Sequence, residues 1–227
     1  MVDSIRHYDI SLALAREMGD NSGVSTILNN LGVIYLDRGE YQKASGVFRE
    51  CWELFREKGH QEGEAISAAN LGEALKELGD YTESDRLYLA AASYAQSQQS
   101  RYFLCHFLSG RADLKLRQGI DLEALALADE ALGLAGELNI PSISYNCRLL
   151  KARLKAKQDI PEACLDLRSL AEDFPEPEQK AETFFWLYTT GREESYRLTA
   201  MELYRALDTD PENRLIKDKI HFLESGN

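Results

Sequence analysis

Apolar residues recur at intervals of three and four along almost the whole chain, and no stretch alternates convincingly with period two. The pattern predicts consecutive antiparallel helices over residues 3–18, 22–38, 41–58, 62–78, 81–97, 100–118, 121–138, 141–157 and 161–173. It continues with helices over 177–190, 193–208 and 211–224. The breaks are short and chemically explicable. Gly39, Gly79 and Gly119 each follow a helix, where a left-handed residue satisfies the last carbonyls. Asp80 and Glu83 have the spacing of a capping box. Pro141, Pro161 and Pro211 fall in first turns, and Asp210 is placed to cap the last helix. The fold class is all-α.

The helices repeat. Forty residues separate Gly32 from Gly72, Gly39 from Gly79 and Tyr41 from Tyr81, within NLGVIYLDRGEYQKASGVF (30–48) and NLGEALKELGDYTESDRLY (70–88). The step continues more faintly to Ala112, Gly119, Ala124 and Ala131. A period of this size marks stacked supersecondary units whose function lies on a long surface. Gly32 and Gly72 lie inside helices, where glycine costs about 1 kcal/mol relative to alanine. Their shared register points to a facing helix that approaches too closely for a larger side chain, with Leu31, Tyr35, Ala44, Phe48 and Cys51 completing the contact.

The spacing N-L-G-x-x-Y-x-x-x-G-x-Y-x-x-A-x-x-x-F closely resembles the tetratricopeptide repeat. The usual period of that family is 34; the 40-residue form is similar to that of kinesin light chains, spindle-orientation adaptors and large bacterial regulators. The resemblance implies a right-handed α-α superhelix of 11–12 helices. Residues 1–20 read as a half unit, 21–174 as 40-residue units, and 175–227 as a 34-residue unit with a capping helix, all in one continuous solenoid. Arg111 and Lys115 stand where the pattern wants apolar residues, and the fourth unit slips by one, with Ala163 matching Ala124. Tyr196, Leu203, Ala206 and Pro211 restore the spacing near the end, with Trp186 on that unit's first helix. The half unit is expected to continue into upstream sequence or to be covered by another chain, the former being preferred.

In this family the first helix of each unit lines a concave groove that holds peptides. Carried over by register, the groove positions are Thr26, Asn29, Val33 and Asp37, then Asn70, Glu73 and Glu77, then His106, Ser109, Asp113 and Arg117. Arg148, Lys151 and Lys155 are the fourth unit's contribution. Asn29, Asn30 and Asn70 stand out because an amide offers donor and acceptor together, so it can grip backbone without demanding a side chain. The chaperone-binding subclass clamps a C-terminal carboxylate with Lys and Arg; here Asn29, Val33, Asn70, Ser109 and Asp113 occupy the matching positions and lack those charges.

Charge narrows the partners. A net charge of −12 over 227 residues argues against nucleic acid. No run of 18 apolar residues suggests a membrane span, and no secretory leader is visible at the N-terminus. Cys51, Cys105, Cys147 and Cys164 are far apart and read as reduced core residues of a cytoplasmic protein. One helix departs from the acidic background, with Arg148, Lys151, Arg153, Lys155 and Lys157 and no acid between Leu138 and Gln158. It reads either as a solvated face offsetting acidic neighbours or as a stripe for an acidic partner.

Catalytic and cofactor motifs are missing from the sequence. His7, His60, His106 and His221 have no metal-ligand spacing, and there is neither a phosphate-binding glycine loop nor a nucleophile elbow. Asp208, Asp210 and Glu212 hint at a calcium loop, but Asn213 and Lys219 fill its diagnostic sixth and twelfth positions, so the segment reads as a helix cap. The expectation is a non-enzymatic module, without cofactor or metal, that binds a protein or peptide. The alternative is a sensor or assembly region of a larger bacterial regulator, working by effector binding or by homodimerisation through the N-terminal half unit.

Overall fold

The computed structural model describes residues 2–226. Twelve helices occur among the described residues, and no strand. The first six are α1 (Val2–Glu17), α2 (Asn21–Asp37), α3 (Tyr41–Glu57), α4 (Gln61–Glu77), α5 (Tyr81–Ser97) and α6 (Arg101–Arg117). The others are α7 (Asp121–Leu138), α8 (Pro141–Lys155), α9 (Ile160–Asp173), α10 (Pro177–Gly191), α11 (Glu194–Leu207) and α12 (Arg214–Ser225). The chain divides into two compact units, residues 1–114 and 115–227. In the first unit α1 packs on α2, α2 on α3, α3 on α4 and α4 on α5, while α2 also touches α4. In the second, packing runs in order from α7 to α12, and α8 also touches α10. These are the neighbour relations of stacked helical hairpins.

Short turns set the forty-residue rhythm. Gly79 has φ +85°, and its N–H bonds back to the Lys76 carbonyl at 3.1 Å, which closes α4 without a Cβ penalty. Asp80 then caps α5 by accepting from the Glu83 N–H at 3.3 Å. The Asp80 N–H that a capping box would offer to Glu83 donates instead to the Leu75 carbonyl at 2.9 Å, and Arg86 holds the Glu83 carboxylate in a bidentate pair at 2.6 and 2.8 Å. His60 and Asp20 cap α4 and α2 in the same manner through Nδ1 and Oδ1.

The close approach expected at the internal glycines is present, though unequal. A Cβ on Gly32 would lie 2.4 Å from the Phe48 ring, and Phe48 is fully buried. A Cβ on Gly72 would lie 3.4 Å from Tyr88 and from the Ser84 carbonyl, an ordinary contact distance. Ser84 also donates to the Gly72 carbonyl at 2.7 Å. Ala112 and Ala152 hold the same register and are buried as well. The expected slip therefore falls after α8: Ala152 keeps the forty-residue phase with Ala112. Asp159, which caps α9 through the Glu162 N–H at 3.0 Å, comes one residue early relative to Ile120.

The charges at apolar registers are neutralised locally. Arg111 pairs with Asp85 at 2.8 Å in the first unit, and the buried Lys115 meets Glu123 at 3.4 Å in the second. All four cysteines are buried, and none is in a disulfide. Burial, followed by the Glu50 charge, pushes the Cys51 thiol up to about 11, and Cys51 donates to the Ser25 carbonyl at 3.3 Å. One cap is corrected. Asp210 accepts from the Glu212 N–H at 3.1 Å, closing a tight turn, and Asn213 caps the last helix through the Ile216 N–H at 3.0 Å. The helix starts at Arg214, three residues later than the pattern predicted, because Pro211 lies in that turn.

The two glycines should respond differently to substitution. Gly32→Ala should destabilise the chain by about 1–3 kcal/mol, since the rigid Phe48 ring must move. Gly72→Ala should be neutral or stabilise by up to about 1 kcal/mol, because the methyl fits and helix propensity improves. Urea midpoints at matched slope will separate them.

Candidate partner-binding surface

In the first unit, α2 and α4 bring the two leading asparagines together. Asn70 Nδ2 donates to Asn29 Oδ1 at 2.8 Å, and both residues are half-buried. Asn30 stands one full period before Asn70, yet the amide that Asn70 meets is Asn29, so the pair is offset by one residue. The bond uses one donor and one acceptor, so each amide retains capacity for a ligand. Thr26 and Val33 are exposed nearby on α2, with the Thr26 hydroxyl bonded to the Ser22 carbonyl at 3.1 Å.

Further along α4 the expected acidic trio of Glu73, Glu77 and Asp113 surrounds a cation that register alone does not single out. Lys76 is only 4 % exposed, and its ammonium lies 2.8 Å from Glu73, 2.7 Å from Asp113 and 3.8 Å from Glu77. Burial opposes its charge, but the carboxylates of Glu73 and Asp113 override that penalty and raise the lysine above its ordinary range. The buried Tyr88 hydroxyl donates to the other oxygen of Glu73 at 2.5 Å. Gly110 provides the room: a Cβ there would lie 2.7 Å from that hydroxyl. Burial and then Glu73 push the Tyr88 phenol well above its usual value. Three carboxylates and one ammonium leave two negative charges on this surface, fewer than the trio alone. The available signal was the pair of apolar residues Leu36 and Leu116, which stand one period before and after Lys76 and mark its position as interior.

His106 and Ser109 are less available than expected. The His106 ring lies 4.7 Å from Tyr102, and burial holds its pKa below the ordinary histidine value. Ser109 is buried at 8 % exposure, so α6 turns it toward the interior. Asp37 and Arg117 are both exposed at helix ends, and partial desolvation of the Asp37 carboxyl raises it above its usual range.

In the second unit the basic helix α8 reaches both ways. Arg148 pairs with Asp173 of α9 at 2.7 Å and stacks over Phe174, while Lys151 pairs with Asp129 of α7 at 2.6 Å. Lys155 lies 2.5 Å from Asp166, and that bond raises its pKa; Lys157 lies 2.5 Å from Asp121. These cations thus offset the acids of their own neighbours, through exposed pairs worth about 0–1 kcal/mol each. Arg153 instead stacks 4.2 Å over Trp186 of α10.

A second polar hub has no signature in the sequence pattern. Glu182 of α10 accepts from Trp186 Nε1 at 2.8 Å, from the Tyr204 hydroxyl at 2.6 Å and from Lys219 at 3.1 Å. Lys219 also sits 3.6 Å over the Phe185 ring. Burial resists ionisation of Glu182, yet Lys219 and the hydroxyl and indole donors win and lower its pKa. Every partner is satisfied, so the hub fastens α12 and α11 to α10. Among the described residues no group of three or more His, Cys, Asp or Glu is arranged to hold a metal.

The Lys76 network has a pH signature. Lys76 and Tyr88 keep their protons in the folded chain above their ordinary values of 10.5 and 10.0. The folded state then binds more protons than the unfolded one, so this stabilisation is complete below about pH 10 and is lost on raising the pH further. Stability measured by urea from neutral to alkaline pH should fall for the native chain, and fall less steeply for Lys76→Met and Tyr88→Phe. Lys76→Met should also cost about 1–3 kcal/mol at pH 7, by leaving Glu73 and Asp113 facing each other without their cation.

Residues 24–58, which contain most of α2 and all of α3, match the tetratricopeptide repeat family. No curated protein matches the sequence. Among solved structures, the kinesin light chain nearly identical TPR-like repeats of Podosopora anserina align at TM-score 0.55 and 14 % identity, over 87 % of this chain and 93 % of that one. A single-substitution form of those repeats aligns at the same values. At that identity the likeness concerns the fold, and it agrees with the hairpin order, the glycine register and the family match. On these grounds residues 24–58 form a tetratricopeptide repeat, and the chain shares the fold of the solved tetratricopeptide-repeat structures.

Proposed function

We propose that this chain is a non-enzymatic interaction module that holds a protein or peptide segment against the first helices of its hairpins. The observation that carries the reading is the Asn29–Asn70 pair, two amides on neighbouring helices with bonding capacity left over. They would grip the partner's backbone, with Thr26 and Val33 beside them. The Glu73–Lys76–Asp113 surface, net negative and partly exposed, would favour a cationic side chain on the partner. His106 and Arg117 are secondary members of this set. In the second unit, Arg148, Lys151 and Lys155 would serve an acidic segment by exchanging their weak exposed pairs for it.

No described helix is long and apolar enough to cross a membrane. The four buried thiols support work in the reducing cytoplasm. The net charge of −12 supports protein over nucleic acid as partner. A second reading, an assembly region acting through self-association, is favoured by the apolar outer face of α1, where Ile10, Leu14 and Met18 are 52, 53 and 80 % exposed.

A linear peptide library displayed on phage and panned against the full chain supplies the probe for the first reading. Enriched peptides should carry Lys or Arg, and Asn29→Ala with Asn70→Ala should weaken their binding about tenfold or more in calorimetry while helicity stays unchanged. Unaltered affinity in the double variant would remove the amides from the mechanism.

A further inference from the structure

We propose that Arg153, held flat against Trp186, is the residue by which the second unit recognises a carboxylate side chain, Asp or Glu, on the partner segment. This deepens the interaction-module reading and rests on it.

Within the second unit the cations of α8 sort by the helix they face. Arg148 reaches Asp173 and Lys155 reaches Asp166, both on α9, while Lys151 reaches Asp129 on α7. Those are the second helices of their hairpins. Arg153 turns the other way, onto α10, where its guanidinium lies 4.2 Å over the Trp186 ring. At 3.6 residues per turn, Arg148, Lys151 and Lys155 fall within about 60° of one another, and Arg153 lies about 140–160° from the nearest two. Asn146 and Lys157 share the Arg153 stripe and are exposed, Lys157 pairing with Asp121 at its end. α10 in turn meets α12 through Glu182 and Lys219 at 3.1 Å. Contacts between first helices therefore run along a side of α8 that Arg148, Lys151 and Lys155 do not share. In the first unit, contacts of this kind are Asn29 with Asn70 and Lys76 with Asp113.

The forty-residue register is an independent line. Arg153 stands one period after Asp113, and Lys157 one period after Arg117; the phase holds this far because the slip falls after α8. On these two registers the first unit carries Val33, Asp37, Glu73, Glu77 and Asp113. The second carries Arg117, Arg153 and Lys157. One sign of charge in each unit complements a partner with a basic part and an acidic part. Arg153 suits the acidic part best. A guanidinium can spend its face on an indole while its N–H donors, which lie in its plane, form a fork that matches a carboxylate. Stacking also restrains the side chain before the partner arrives, so less rotamer freedom is lost on binding. Trp186 is itself fixed, its Nε1 donating to Glu182 at 2.8 Å, and the Glu182 charge is balanced by Lys219.

The linear phage library, panned in parallel on the native full chain and on full-length Arg153→Glu, tests this by sequencing the enriched peptides. Native-selected peptides should carry Asp or Glu at a constant offset from their Lys or Arg. Peptides selected on Arg153→Glu should take Lys or Arg at that offset, a reversal that lost packing alone would not produce. Phage-borne peptides lack phosphoserine, so the selection reads carboxylates. In calorimetry a native-selected peptide should bind Arg153→Gln about tenfold more weakly. Its amide counterpart, with Asn or Gln for the acid, should lose nothing further in that variant. Helicity and urea midpoint report whether each variant is folded, and Arg153→Gln carries the test where the reversal unfolds the chain. An acid preference that survives Arg153→Glu and disappears with Arg148→Gln and Lys151→Gln would overturn the assignment. Native-selected peptides rich in Lys or Arg but without an acid preference would overturn it and leave the amide reading standing. No enriched peptide at all would overturn both.

Discussion

Steric room between facing helices is the constraint on which the structure depends. At residues 32, 72, 112 and 152 the chain places Gly, Gly, Ala and Ala, and each is buried. A glycine inside α2 costs about 1 kcal/mol of helix propensity, while burying an aromatic ring such as Phe48 contributes about 1.5–3 kcal/mol. The balance favours close approach, and close approach fixes the rotational phase of each helix against its partner. Phase then decides which residues point outward. Asn29 and Asn70 meet because α2 and α4 are both anchored through the same small-residue register.

Charged groups inside the repeats are tolerated only where a counter-charge arrives from an adjacent helix. Lys76, Arg111 and Lys115 occupy registers that are apolar elsewhere, and each has a carboxylate within 3.4 Å. Desolvation makes such pairs a poor source of stability, but removing one partner is strongly unfavourable. They therefore act as phase markers: a helix rotated by one residue would strand a cation away from its acid. The Glu182 hub does the same for α10, α11 and α12, with aromatic faces replacing part of the lost hydration of Lys219.

Much of the fold was legible because helical periodicity and the forty-residue step both come from local, short-range requirements. Helix limits agreed to within one or two residues except at α12, which starts at Arg214 with Asn213 as its cap in place of the expected Asp210. The candidate site was read less fully. Register arithmetic placed Asn29, Asn70, Glu73 and Asp113 in the candidate set, but it scores positions singly and could not reveal that the first two bond to each other or that Lys76 sits between the others. Ser109 was misplaced for a related reason: it shares a period with Ala69, a buried position, and its polar side chain disguised that. The basic run on α8 looked unopposed along the sequence because its acids, Asp121, Asp129, Asp166 and Asp173, are supplied by the helices on either side.

Within each unit, helices take their principal packing from the helix next to them in the chain, with α2–α4 and α8–α10 among the contacts that reach one further. Loop closure is therefore cheap at every step, and the entropy lost in forming one hairpin is recovered before the next must order. Such a topology permits rapid folding that starts in more than one place. It also permits piecemeal opening, in which amide protons exchange hairpin by hairpin instead of through a single global event. Lineages carrying this architecture can gain or lose a forty-residue module without redesigning a shared core.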